Sequence, residues 1–157
     1  MRQILLLSAT FILLAVFCVV DSGCGGGGGG AAPPAAVSPG LSVTQPRAGD
    51  QVSDVDFRAE NFYIEITHAA PLNMSSFSVH FSMDGGTAQD ITSYFSDVNA
   101  TTLRSGNLYQ FTRTLFVLAS NDHSRNMFVS VSAESTTGVA GTATRSFVVY
   151  PVAPPSH

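Results

Sequence analysis

From Leu41 onward, apolar and polar residues alternate at period two, with turn residues interrupting every 8 to 12 positions. No window holds a convincing helical period, so the pattern predicts short half-buried strands. Leu41 and Val43 alternate with polar neighbours up to Pro46, Gly49-Asp50 is a turn, and 52–57 reads as a weak strand. Phe62, Ile64 and Ile66 then alternate with Tyr63, Glu65 and Thr67. The cleanest strand sets Phe77, Val79, Phe81 and Met83 on one face and Ser76, Ser78, His80 and Ser82 on the other. Asp84-Gly85-Gly86 turns it, as hairpin chemistry prefers. A short strand or edge at 91–95, a long run at 108–118, an alternating stretch at 127–134 and a last one at 142–150 complete the set. About seven strands in about 110 residues predict an all-β, immunoglobulin-like Greek-key sandwich rather than a closed barrel.

The N-terminal forty residues follow other rules. Met1-Arg2 supplies one positive charge, residues 4–20 are almost unbroken apolar, and Asp21-Ser22-Gly23-Cys24 follows. That is the form of an export signal over 1–23. Seventeen residues at helical rise span about 26 Å, slightly short of a membrane core. Residues 25–40, with six consecutive glycines, Ala-Ala-Pro-Pro and Ser-Pro-Gly, cannot build a core. They read as a flexible spacer with a root-mean-square span of about 20–25 Å. The division expected is therefore signal 1–23, linker 24–40, sandwich 41–151 and a loose tail 152–157.

Cysteine placement changes this picture. Cys18 lies within the leader and Cys24 at its end, so the body has no internal disulfide and Cys24 is the one Cys of the mature chain. Ser22-Gly23-Cys24 resembles the lipobox of bacterial lipoproteins, in which the Cys is acylated and becomes the new N-terminus. The glycine run after it is common in that family; Asp21 stands where the family has an aliphatic residue. The resemblance implies a membrane anchor through palmitate-like acyl chains on Cys24. Two or more chains give stable attachment where one does not. With Gly25 after the Cys, it also implies the outer membrane of a bacterial cell envelope. Over the body, Pro46-Arg-Ala-Gly49, the 77–85 stretch followed by Asp90-Ile-Thr, the 127–133 stretch, Gly138 and the 144–149 stretch resemble bacterial immunoglobulin-like repeats of surface and cell-wall-associated proteins. The Cys, Trp, Cys signature of antibody domains is absent.

Charge narrows the functions available. All seven basic residues are Arg, and the mature chain keeps six of them against ten acids. They are scattered singly, which argues against nucleic acid, whose binding needs clustered cations. Candidate chemistry is thin. His68, His80, His123 and His157 are dispersed without metal-ligand spacing. No nucleophile with a base is apparent, so the chain is read as no enzyme and without cofactor. Calcium is the one metal the acids suit: Asp54 and Asp56 would share a strand face near Asp50 and Glu60, though a further acid such as Asp122 would be needed. Tyr63 and Phe128 fall on outward faces, where each covers a second apolar surface or forms a contact patch. The sequons Asn73-Met-Ser75 and Asn99-Ala-Thr101 matter only in a eukaryotic secretory pathway, which the lipobox argues against.

The expectation is a non-catalytic, envelope-anchored binding or adhesion module facing an envelope protein or cell-wall polymer. Its exposed contacts are placed in the 84–90 and 119–126 loops. The alternatives are a structural subunit of an envelope assembly and a carbohydrate-binding accessory domain.

Overall fold

Alternating residues do pack as predicted. In the computed structural model, which describes residues 35–95, 97–98, 101–117 and 123–152, nine strands form two sheets. In chain order these are β1 (Ser42–Gln45), β2 (Gln51–Ser53), β3 (Glu65–Thr67), β4 (Leu72–Met83), β5 (Gln89–Asp90), β6 (Asp97–Val98), β7 (Thr102–Arg104), β8 (Arg125–Ser135) and β9 (Ala140–Tyr150). One sheet runs β1-β3-β7-β6 and the other β2-β9-β8-β4-β5. Only β2 and β9 pair in parallel; the other pairs are antiparallel. Taking β1 and β2 as the halves of a first strand A, the orders are A-B-E-D and A′-G-F-C-C′, an immunoglobulin-type sandwich. All described residues belong to the unit Pro33–His157.

Register explains the core. Phe81 lies opposite Val129, Val79 opposite Val131 and Met83 opposite Met127, with Met127 in turn opposite Phe147. The inward face of the large sheet is thus a continuous apolar surface that meets Val43, Ile66 and Leu103 of the other sheet. Between Asn73 and Ser78 the β4–β8 ladder slips. The Ser76 hydroxyl fills the gap, accepting from Glu134 N at 2.8 Å and donating to Asn73 O at 2.7 Å. Arg145 crosses between the sheets, and both Nε (3.0 Å) and Nη2 donate to Val43 O.

Three stretches depart from the sequence expectation. Within 52–57, the strand stops at Ser53, and α1 (Asp54–Phe57) is a single helical turn. The Ser53 hydroxyl accepts from Asp56 N at 3.0 Å and donates to Asp56 Oδ2 at 2.7 Å, a local cap that outcompetes the strand. In the 108–118 run, α2 (Tyr109–Val117) replaces a strand. Leu108, Thr112 and Leu115 are buried while Gln110, Arg113 and Thr114 are exposed, which is helical spacing. At 91–95 there is a 3-10 turn (Thr92–Tyr94), with Asp90 Oδ1 accepting from Thr92 N at 2.8 Å. Short β6 and β7 lie just beyond it, and no strand was expected there. The Asp84-Gly85 turn stands as expected, with φ of 51° and 71° and Gly86 N bonded to Met83 O at 2.8 Å.

The sandwich has two unlike poles. At one, the 68–71 and 136–139 turns meet the incoming chain: Pro39 is buried, its carbonyl accepts from Ala69 N at 2.8 Å, and Val37 N donates to the Thr137 hydroxyl at 3.0 Å. The packed body thus reaches into the stretch read as spacer. At the other pole lie α1, the Asp84-Gly85 turn and α2, with α1 against α2.

Candidate functional site

The helical pole holds the concave surface. β3 starts there and β7 ends there, so Tyr63, just before β3, and Arg104, closing β7, come together. The Arg104 guanidinium lies 3.3 Å from the Tyr63 ring centroid, a cation–π stack. Tyr63 is therefore half-covered by a cation rather than by an apolar neighbour. Ser105 fixes this corner: its buried hydroxyl accepts from Ile64 N at 2.7 Å, and its own N–H donates to Ile64 O at 2.9 Å.

Two shallow depressions adjoin along 61–63. The first, about 230 Å³, has Pro46, Val52, Phe62 and Tyr63 as apolar lining and Gln45, Asp50, Asp56 and Asn61 as polar lining. The second, about 320 Å³, lies between 60–63 and 104–107, with Arg104, Asn107 and Glu60 as its polar groups. Asp50 is held by Arg47 N, which donates to Oδ2 at 2.7 Å, and Asp56 by the Ser53 hydroxyl. Beneath them the Phe57, Phe62, Phe81 and Phe147 rings pack with centroids 4.8 to 6.4 Å apart. The floor is therefore set by the core itself. A third recess, about 250 Å³, separates the helices and is lined by Val55, Arg58, Tyr109 and Arg113.

The calcium geometry expected of Asp54 and Asp56 does not form. On a helix, positions two apart lie about 200° apart around the axis, not on one face. Asp54 pairs with Arg58 at 2.8 Å and accepts from Val152 N at 3.1 Å, while Asp56 closes the Ser53 cap. Among the described residues, no group of three or more His, Cys, Asp or Glu could hold a metal ion.

The remaining candidates are dispersed. His68 is buried at the opposite pole, its Nδ1 2.9 Å from Ala70 O, so Nδ1 carries the proton; Nε2 is buried without a hydrogen-bond partner. His80 stands on the outer face of the large sheet, between Asp90 and Ser130. Phe128, on the same face, is 42% exposed. In the 84–90 loop, Asp84 is committed to Arg125 Nη1 and Asn126 N, each at 2.8 Å, which ties the hairpin to β8. Asn73 Oδ1 accepts from the Ser75 hydroxyl at 2.7 Å. Cys24, Asn99, His157 and residues 119–122, Asp122 among them, lie outside the described residues. Of the cleft residues, Tyr63 was legible as outward; Pro46, Asn61 and Arg104 carried no signal of their own, because separate loops bring them together.

No family model matches the sequence, and no curated protein matches it. Among solved structures the chain is similar to CopC from Methylosinus trichosporium OB3b, at 14% identity and a TM-score of 0.46, over 75% of this chain and 99% of that one. A likeness this distant carries no argument about ligand or chemistry.

Proposed function

We propose that the protein is a non-catalytic, lipid-anchored binding module of the bacterial cell envelope, held by acyl chains on Cys24 and presenting the helical pole of its sandwich. The observation that carries the reading is the position of the tether. Chain arriving from Cys24 joins the domain at Pro39, locked between the 68–71 and 136–139 turns, and the concave surface lies at the opposite pole. On this reading the point where the chain enters the domain and the clefts are at opposite poles of the sandwich. A rigid sandwich with irregular connections at one end is a common architecture for recognition. The Gly25 context favours the outer membrane.

The test is membrane fractionation of the wild type and Cys24→Ala in a bacterial host, with acylation followed by a labelled fatty acid. Wild type is expected in the membrane fraction with label. Cys24→Ala is expected to be unlabelled and released, or to remain as precursor. Unchanged fractionation and labelling in the variant would remove the lipid-anchor reading.

One observation favours the structural-subunit reading. The outer face of the β9-β8-β4 sheet carries seven hydroxyl side chains (Ser78, Ser82, Ser130, Ser132, Thr142, Thr144 and Ser146) in register around His80 and the exposed Phe128. This hydroxyl-rich face, with Asp90 and Glu134 at its margins, is a surface that could pack on a copy of itself. Light scattering decides it: a strict monomer at high concentration counts against self-assembly.

A further inference from the structure

The two depressions that share 61–63 are open, adjacent and lined by complementary chemistry. We propose that they are neighbouring subsites for a neutral glycan, with the Gln45–Tyr63 side holding one pyranose ring and the Arg104 side holding the next. The proposal names the ligand class of the presented pole and in that sense rests on the binding-module reading.

A pyranose ring offers apolar C–H faces and a belt of hydroxyls, each both donor and acceptor. It is held by an apolar floor edged with carboxylates and amides, which between them accept from and donate to hydroxyls. The first depression has that composition: Pro46, Val52, Phe62 and Tyr63 supply apolar lining, and Gln45, Asp50, Asp56 and Asn61 the polar groups. Its carboxylates are already oriented, because Oδ2 of Asp50 and Oδ2 of Asp56 are each held by a neighbour. The other oxygen of each can accept from a ligand with little further ordering of the side chain, which lowers the entropic cost of binding. The Tyr63 ring, which lines both subsites, carries the Arg104 guanidinium stacked on it.

Charge decides between ligand classes. The lining of the two depressions carries three carboxylates, Asp50 and Asp56 in the first and Glu60 in the second, against the one cation Arg104, a balance that disfavours a polyanion. A peptide partner would instead seek the exposed apolar groups of this pole. Val55 (57% exposed), Tyr150 and Val152 lie beside α1 and β9, outside both depressions. The small size and openness of the subsites match a ligand read one or two rings at a time.

The experiment titrates the full mature chain in detergent with chito-, cello-, malto- and manno-tetraose up to about 10 mM, a range that captures weak binding. The expected result is binding of at least one tetrasaccharide. Asn61→Ala, at an exposed position, and Asp50→Asn should each weaken it at least about tenfold with an unchanged far-UV spectrum. Arg58→Ala, in the third recess, should leave it intact. The proposal is overturned if none of the four binds, if binding survives both cleft variants, or if a peptide pool selected on the protein competes at the same residues. None of these results touches the Cys24→Ala fractionation, so the ligand assignment and the anchored-module reading fail separately.

Discussion

Replacing Phe57 and Val55 separately tests the departure at 52–57. On a strand the two residues share a face, and both would enter the core. On the observed turn of helix only Phe57 does: it is fully buried, whereas Val55 is 57% exposed. Phe57 touches Phe62, Phe81 and Phe147 with ring centroids 4.8, 6.1 and 6.2 Å away. Phe57→Ala therefore removes a ring from the centre of an aromatic cluster and leaves a cavity, at a cost of about 3–5 kcal/mol. That is a large share of the roughly 5–15 kcal/mol typical of a domain. Val55→Ala removes exposed surface and improves helix propensity, so its cost is about 0–0.5 kcal/mol. With no Trp in the chain, urea unfolding is followed by far-UV circular dichroism. At an m-value of about 2 kcal/mol/M, Phe57→Ala should lower the midpoint by about 1.5–2.5 M and Val55→Ala by less than about 0.3 M. A loss of about 2 kcal/mol or more for Val55→Ala would mean that both side chains are in the core, and the helical turn would be wrong.

Two further outcomes follow from other parts of the fold. A Cβ on Gly141 would lie 2.4 Å from Pro39 Cγ, so Gly141→Ala should displace the docked 37–40 segment at a cost of about 1–3 kcal/mol and speed proteolysis there; unchanged cleavage and melting temperature would refute the docking. Asp90 is held below its ordinary pKa, first by the Thr92 hydroxyl and then by the Thr92 N–H. Its contribution is present above the unfolded-state value and lost as pH falls through the folded one. The melting-temperature gap between wild type and Asp90→Asn should therefore narrow below about pH 4, and a pH-independent gap would contradict the bond.

How much of the site the sequence disclosed depends on how local each signal was. Tyr63 was visible as an outward aromatic because alternation fixes which way a strand residue points. Its partner Arg104 was not, since the pairing of β3 with β7 joins residues about forty positions apart. The capping pair Ser53 and Asp56 did stand in the sequence at the spacing of a helix start. They were outweighed by the reading of 52–57 as a weak strand with Asp54 and Asp56 on one face. Leu108, Phe111 and Leu115 likewise carried a helical spacing inside a run also rich enough in aromatic and β-branched residues for a strand.

By itself the sequence determined that the body is β. Long alternations such as 77–83 and, Phe128 excepted, 127–133 place their apolar side chains on one face, and a pleated strand satisfies that without help from the rest of the chain. Only the tertiary structure decided the short elements. One turn of helix or a two-residue strand has too few local interactions to stabilise itself, so its form is set by what it covers. Here α1 and α2 lie at one end of the sandwich, Phe57 and Leu115 enter the core there, and the two clefts form where the 60–63 connection lies between the 45–56 and 104–107 stretches.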